Sequence, residues 1–171
     1  MRTFIQIDVQ NLFFSAKDIN KRIDFKKIKE HFQSSGDEIF DICAYIIRTP
    51  DARSDKFEAL LQSLGYTLRI KNAIINYNAD GQRVYKGTDH DMAICIDCMH
   101  NIDKFDHWVL MSGDGDFIDL CKYLKEKNKF VEIWSMQGVS FNKNFCNYAD
   151  TIRFLSNNFF YSKDIEQKEG L

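Results

Sequence analysis

The sequence has few of the features that mark disordered, secreted or membrane proteins. Among its 171 residues there are only one proline, Pro50, and eight glycines, which argues against a disordered chain. No run of about eighteen apolar residues occurs, so we expect no membrane span. The five cysteines are an odd number and too sparse for a disulfide scaffold, and Asp8 interrupts the apolar stretch that a signal peptide would need. These absences predict a soluble, cytoplasmic protein with reduced thiols.

The chain also lacks the excess of basic residues that is common in nucleic-acid-binding proteins. Its formal charge is −2, with 44% hydrophobic and 28% charged residues, which is an ordinary globular composition. The charge counts mildly against a nucleic-acid partner, although metal-binding carboxylates lower the net charge while basic residues elsewhere still contact phosphates. The length suits one domain with a proper core, which we place at residues 1–160, before a polar tail at 161–171.

Strand-like segments alternate with helix-like segments along the chain. This alternation predicts a mainly parallel sheet with helices on both faces and right-handed crossovers. In such sheets the site lies beyond the carboxyl ends of the strands, where the strand order reverses, here between the strands at 3–8 and 107–111. Further strands are predicted at 38–48, 67–70, 130–134 and 151–155, a hairpin at 73–84, and helices from 11 to 29 and beyond in one or two pieces and at 54–64, 88–99, 117–127 and 141–148.

Acidic residues follow those two strands and open the helix before the second one. Asp8 ends the first strand, Asp114 and Asp116 follow the second, and Asp89 and Asp91 stand at the helix start. Mg²⁺ prefers carboxylate oxygens together with water and substrate phosphate, and unpaired acids repel one another unless a cation neutralises them. The set therefore predicts a metal site for phosphoryl transfer, where one metal ion activates water and a second stabilises the leaving oxygen.

Each of these acids also has a purely structural interpretation. Asp8 could cap the following helix, and Asp114 and Asp116 could be capping or first-turn residues favoured by the helix dipole. Thr88 with Asp91 fits a variant of the capping box, and the two glycines beside Asp114 could be simple turn residues. The site interpretation depends on the conjunction of acids at both strand ends and at a helix start.

Several segments resemble motifs of the NYN-domain proteins, the LabA-like branch of the PIN-like nucleases. Residues 7–12 (IDVQNL) resemble the first motif, 86–89 (KGTD) the second and 110–117 (LMSGDGDF) the third. Residues 140–150, followed by Ile152, resemble the closing element, a helix with Ala-Asp before the last strand. The resemblance covers roughly residues 3–155 and implies a three-layer α/β/α, Rossmann-like (PIN-like) domain with a central mainly parallel sheet.

The same resemblance implies an activity and a set of site residues. It implies Mg²⁺- or Mn²⁺-dependent cleavage, mostly of RNA, with Asp8, Asp89, Asp114 and Asp116 as the catalytic, metal-holding residues. Asn11 would orient the first carboxylate or contact the substrate. A further set of supporting or substrate-binding candidates lies in or beside the second and third motifs: Ser112, Lys86 and Arg83.

The chain departs from the family pattern at one position. The family often has a second acid six residues after the one that matches Asp89, and this chain has Cys95 there. Asp97 lies two residues further on. Whether Asp91 or Asp97 joins the site is therefore left open by the sequence.

These observations favour an endoribonuclease, with three alternatives. A DNase would use the same chemistry, and so would a phosphatase, but Gln10 stands where a haloacid dehalogenase-type phosphatase has its second aspartate. A non-catalytic regulator that binds RNA or protein is the third. The turn after the first strand has no glycine, which argues against a dinucleotide-binding role.

The expected partner is a nucleic acid, RNA rather than DNA, and no membrane. We also consider a homodimer, because the family often pairs and because residues 159–161 (FFY) form an apolar cluster, although this cluster could equally pack on its own domain. Phe14, Tyr77 and Tyr85 could stack on bases, with core packing expected for at least two of them.

Overall fold

A six-stranded sheet dominates the computed structural model, which describes residues 1–50 and 54–162. Its strands are β1 (Arg2–Asp8), β2 (Glu38–Arg48), β3 (Thr67–Asn72), β6 (His107–Met111), β7 (Phe130–Ser135) and β8 (Thr151–Phe154). The spatial order is β3-β2-β1-β6-β7-β8, and every neighbouring pair is parallel. The predicted parallel sheet is confirmed, and the observed strands agree with the predicted ones to within two residues.

The strand order reverses between β1 and β6. From β1 the chain moves outward through β2 and β3, and it then returns to the other side of β1 and continues through β6, β7 and β8. The register pairs Ile7 of β1 with Met111 of β6. The residues that follow, Asp8 and Ser112, therefore emerge side by side at the carboxyl edge, as the switch-point argument predicted.

Helices cover both faces of the sheet and complete three layers. The helices are α1 (Val9–Asp18), α2 (Phe25–Gln33), α3 (Asp55–Ser63), α4 (Asp91–His100) and α5 (Ile118–Glu126). Along β1, Ile5 and Ile7 pack with α1, α2 and α3, whereas Phe4 packs with α4 and α5. Successive side chains of a strand point to opposite faces, so each face has its own core. Burial of each large apolar side chain contributes about 1.5–3 kcal/mol.

The first helical segment is divided into α1 and α2 by its local sequence. Asn20 adopts a left-handed conformation with φ 53°, which asparagine tolerates better than most residues. Asp24 then starts α2, because its carboxylate accepts the backbone N–H of Lys26 at 3.0 Å and of Lys27 at 3.3 Å. Of the two predicted alternatives, one helix or two, the structure has two.

A small antiparallel hairpin stands apart from the main sheet and precedes α4. Its strands are β4 (Ile74–Tyr77) and β5 (Arg83–Lys86), close to the predicted 73–84. Tyr77 is exposed on this hairpin, and so is Phe14 on α1. The expectation that at least two of the three candidate aromatics pack in the core was therefore wrong.

The aromatic residues near the C-terminal end pack on their own domain. Phe159 contacts Trp134 edge-on with ring centroids 5.4 Å apart, Phe160 is buried in the core, and the Tyr161 N–H donates to Arg22 O at 3.0 Å. This intramolecular packing is the alternative to a dimer contact that the sequence left open. The predicted tail lies outside the described residues from residue 163 onward.

The remaining observations concern membrane-spanning helices, the short 3-10 helices and the cysteines. In the described part of the chain, no helix is both long enough and apolar enough to cross a membrane. Short 3-10 helices connect several elements, at Ile102–Lys104, Gly115–Phe117, Lys143–Asn147 and Asn157–Phe159. The predicted helix at 141–148 is thus a 3-10 helix. All five cysteines are free thiols.

Candidate metal centre

Asp8 combines a capping role with a place in the site. Its Oδ1 accepts the Asn11 N–H at 3.0 Å, which caps α1, and its Oδ2 accepts the Ser112 hydroxyl at 3.2 Å. The same Ser112 Oγ accepts the Asp114 N–H at 3.2 Å. The predicted capping role of Asp8 is therefore observed, and Ser112 connects the end of β1 with the loop after β6.

Asn11 fixes that loop from the other side. Its Oδ1 accepts the Gly113 N–H at 3.1 Å, while the Gly113 carbonyl accepts the Asn142 N–H at 3.0 Å. The 140–142 segment lies so close that a Cβ on Gly113 would be 2.4 Å from Ser140 O. Gly113 is thus required by close approach and not by a turn conformation.

Three carboxylates converge beyond the ends of β1 and β6. Asp91, at the start of α4, offers an oxygen that lies within 4.8 Å of oxygens from both Asp114 and Asp116. We call these residues the three-aspartate group. Asp114 also caps the 3-10 helix at Gly115–Phe117, because its Oδ1 accepts the Asp116 N–H at 3.0 Å. The cap holds the two carboxylates of the third motif in a fixed relation.

Asp8 and Asp89 border this group without being part of it. Together with Asp91 and Asp114 they line a cavity of about 360 Å³, which we call the acid-lined cavity. Asp89 is exposed, and its backbone carbonyl accepts the Lys71 amine at 2.9 Å. Of the four acids predicted to hold metal, the structure places Asp114 and Asp116 within the three-aspartate group and the other two at its margin.

Asp91 is the acid whose role the structure changes most. The predicted capping box with Thr88 does not form, since the N-cap of α4 is His90 and no side chain caps this helix end. The Asp91 carboxylate lies instead beside Asp114 and Asp116 of the third motif. Sequence analysis left the membership of Asp91 in the site open. The signal that could have placed it there is its position two residues after the motif acid Asp89, in the run Asp89-His90-Asp91.

The electrostatics of the site are those of acids held together without basic partners. Burial, together with the charges of Asp114, Asp8, Asp89 and Asp116, raises the pKa of Asp91 to about 6. Burial also raises the pKa of Asp8, opposed by its hydrogen bonds from the Asn11 N–H and the Ser112 hydroxyl. Among the described residues, no lysine or arginine makes an ion pair with any of these acids.

His90 lies in the same cavity in a buried position. Its Nε2 donates to Ile46 O at 2.8 Å, which joins the start of α4 to β2. Burial lowers the pKa of this imidazole, so the ring is neutral near pH 7. Its Nδ1 has no hydrogen-bond partner among the residues that the structure describes.

Asp97 has a different function from the acids of the site. Its Oδ2 accepts the Tyr45 hydroxyl at 2.9 Å and the Arg69 Nε–H at 2.7 Å. Tyr45 in turn accepts a hydrogen bond from Gln6 at 2.5 Å. Asp97 therefore belongs to a polar network beneath α4, and it is not a member of the three-aspartate group.

The predicted basic contacts lie on the hairpin. Arg83 and Lys86 are both exposed residues of β5, and the Arg83 guanidinium is 5.4 Å from the ring centroid of Tyr85. Neither residue is part of the lining of the acid-lined cavity. Lys71, from β3, also contacts the second motif, since its amine donates to the Asp89 carbonyl at 2.9 Å.

The donor set fits a hard divalent cation. Mg²⁺ and Mn²⁺ favour oxygen ligands, and the three-aspartate group offers only carboxylates within 4.8 Å of one another. A cation there would offset both causes of the raised pKa of Asp91, its burial first and then the charges of the neighbouring acids. The three-aspartate group could therefore hold such a cation.

The fold and its acids define the structural class of this chain, a three-layer α/β/α domain with a carboxylate-lined site at the switch point of the sheet. Within that class, the family model for the NYN domain matches residues 2–157, so the chain belongs to the NYN domain family. This family is part of the PIN-like nuclease superfamily, and its nucleases are generally dependent on divalent metal ions.

One curated protein and one solved structure are similar to this chain. The low amplitude and bright protein LabA of Synechococcus elongatus is 29% identical over 141 residues, which cover 81% of this chain and 75% of that protein. A crystal structure of a protein of unknown function from Vibrio parahaemolyticus superposes with a TM-score of 0.78 at 22% identity, covering 94% of this chain and 96% of the other. This second likeness bears on the fold alone.

Proposed function

We propose that this protein is a metal-dependent endoribonuclease that hydrolyses phosphodiester bonds of RNA. The observation that carries the proposal is the three-aspartate group of Asp91, Asp114 and Asp116 at the switch point of the sheet. Membership of the NYN domain family, within a nuclease superfamily, supports the choice of a nucleic-acid substrate.

The three-aspartate group would hold Mg²⁺ or Mn²⁺, with Asp8 and Asp89 beside it. A divalent cation at such a site neutralises phosphate charge and activates water for attack. Ser112 and Asn11 would hold Asp8 and the third motif in place through their hydrogen bonds. Lys71 lies beside the second motif, where its amine donates to the Asp89 carbonyl at 2.9 Å, and it is our candidate for contact with a substrate phosphate.

Cleavage of labelled RNA tests this function. The protein is incubated with single-stranded RNA and with DNA of the same sequence, in Mg²⁺, Mn²⁺ or EDTA. We expect cutting of RNA with either metal and none in EDTA. Asp114→Asn should abolish cutting without unfolding the protein, because it removes one of three converging carboxylates.

Asp119→Asn is the matched control for that variant. Asp119 lies near the same loop but is exposed on α5, where it pairs with Lys122 at 2.7 Å, and it is expected to leave cutting unchanged. Preferential cutting of DNA would contradict the proposal that RNA is the substrate and would indicate a DNase. A folded protein that cuts neither strand with any metal would favour the non-catalytic regulator.

A further inference from the structure

We infer that Phe14 forms a binding subsite for an unpaired nucleobase next to the metal centre. This inference rests on the proposed nuclease function and deepens it, since it names single-stranded RNA as the form of substrate that the site selects. It depends on the position of Phe14 on α1, on its exposure, and on the lining of the acid-lined cavity.

Phe14 is placed at the site by the first turns of α1. The helix begins at Asp8, whose carboxylate caps it, and its next turns direct Asn11, Phe14 and Ser15 to one side. Asn11 binds the Gly113 N–H, and the Ser15 hydroxyl donates to Ser140 Oγ at 2.7 Å. Because residues three and four apart share a helix face, the ring of Phe14 borders the same cavity as these two anchored side chains.

The ring is available for contact with a ligand. Phe14 is 51% exposed, although a phenylalanine of a folded domain is usually buried. Phe13 contacts it edge-on, with centroids 5.5 Å apart and planes at 74°. The exposed aromatic surface of Phe14 therefore lies at the edge of the acid-lined cavity.

The cavity is lined by both acidic and apolar side chains. The acids include Asp8, Asp91 and Asp114, beside which a cation and a phosphate would lie, and the apolar side chains are Phe14, Ile47 and Val139. A nucleotide offers partners for both kinds of side chain, since its phosphate is charged and its base has apolar faces. Aromatic side chains stack on bases with little regard to sequence. A base in a duplex has both faces covered by its neighbours, so the subsite selects unpaired nucleotides.

The test compares variants of Phe14 with a variant of its neighbour. Phe13→Ala is the matched control, because Phe13 is the same residue type on the same helix with 58% exposure and is not part of the cavity lining. Binding of a labelled single-stranded RNA is measured by fluorescence anisotropy in Ca²⁺, and KM and kcat are measured in Mg²⁺ or Mn²⁺. The same strand in a perfect duplex is the second probe.

We expect Phe14→Ala to weaken binding of the single strand by about 5-fold to 100-fold, the range for loss of one base–aromatic stack. Phe14→Tyr should retain binding, whereas Phe14→Leu, which keeps apolar bulk without a ring, should resemble Phe14→Ala. Phe13→Ala and binding of the duplex should change little. KM should rise in the two weakened variants.

Several results would overturn the subsite. One is wild-type affinity in Phe14→Leu, and another is an equal loss in Phe13→Ala, which would show that the effect is not specific to the ring at the cavity. Metal-dependent cleavage with an unchanged KM in all Phe14 variants would reject the subsite and leave the nuclease. Ring-dependent binding of RNA without any cleavage would support the subsite and reject the nuclease, and absence of both would reject both.

Discussion

The Ser112 hydroxyl donates to the Asp8 carboxylate at 3.2 Å and so connects β6 with β1 where the strand order reverses. Ser112 is fully buried, and its oxygen also accepts the Asp114 N–H. One small side chain therefore sets the position of an acid from the first motif relative to an acid from the third. This relationship leads to the first prediction.

Ser112→Ala should lower both stability and metal affinity. The substitution leaves Asp8 Oδ2 and the Asp114 N–H without their shared partner, and an unsatisfied buried polar group costs about 1–3 kcal/mol. Urea unfolding in EDTA would give the free energy of unfolding, and the rise in melting temperature with Mn²⁺ would report metal binding.

Ser135→Ala is the control for the loss of a buried hydroxyl. Ser135 is fully buried, and its Oγ has no hydrogen-bond partner among the described residues, so its removal should cost little. Equal losses of stability in the two alanine variants, with an unchanged response to Mn²⁺, would show that Ser112 does not organise the site.

Asp150, from the closing motif, should stabilise the fold in a pH-dependent way. Burial acts to raise its pKa, but hydrogen bonds from Lys125 and from the Val131 N–H outweigh it, and the pKa lies below its ordinary value. A depressed carboxyl pKa stabilises the protein above the unfolded value, near 4, and this contribution is lost as the pH falls through the folded pKa.

Asp150→Asn should therefore cost about 1–2 kcal/mol at pH 7, and the difference from the wild type should shrink toward pH 3. Thermal unfolding across this pH range measures the effect. Asp119→Asn, at a surface pair with Lys122, should change stability little at any pH. A constant difference between Asp150→Asn and the wild type would mean that the charge of Asp150 is not what stabilises β7.

The fold was predictable from the sequence because its signals are local and repeated. The segments of β2 and β6 are rich in apolar residues, and the predicted bounds 38–48 and 107–111 are the observed ones. The alternation of strands and helices then leaves few topologies. The position of Asp8 beside Ser112 followed from that topology before any motif was considered.

The site was predictable only in part, since its details depend on long-range packing. The role of Gly113 arises from the 140–142 segment, which is distant in sequence. The inclusion of Asp91 depends on where α4 begins relative to the third motif. The exposure of Phe14 depends on which face of α1 the core covers, and a Phe-Phe pair in a helix does not show which of the two borders a cavity.

Asp91→Asn should stabilise the metal-free protein and remove its response to metal. The pKa of Asp91 is raised to about 6, by burial first and then by the neighbouring acids. A raised carboxyl pKa means that the folded state holds the proton more tightly than the unfolded state. Ionisation therefore destabilises the folded protein as the pH rises above the unfolded pKa, and the full cost is present above about pH 6.

In EDTA at pH 7.5, Asp91→Asn should raise the free energy of unfolding by about 1–2 kcal/mol, allowing for partial solvent screening. With Mn²⁺ the wild type should gain stability and the variant should gain far less. Asp97→Asn is the contrasting control, because it disrupts the Tyr45 and Arg69 network and should destabilise the protein with or without metal. A variant at Asp91 that is less stable in EDTA would contradict the acid-repulsion argument.

Gly113→Ala should be more harmful than Gly115→Ala, although both glycines lie in the third motif. A Cβ on Gly113 would be 2.4 Å from the backbone oxygen of Ser140, whereas a Cβ on Gly115 would meet the amide end of the Asn142 side chain. Neither glycine has a positive φ. A comparison of the two alanine variants therefore tests the effect of close approach and not of backbone strain. A side chain can rotate away and a packed backbone segment cannot, so we expect about 1–3 kcal/mol of destabilisation at Gly113.

Because Gly113 adjoins both Ser112 and Asp114, its alanine variant should also lose metal-dependent stabilisation in thermal unfolding, while Gly115→Ala retains most of it. Equal effects of the two substitutions would show that the 140–142 segment adjusts freely and does not hold the third motif in place.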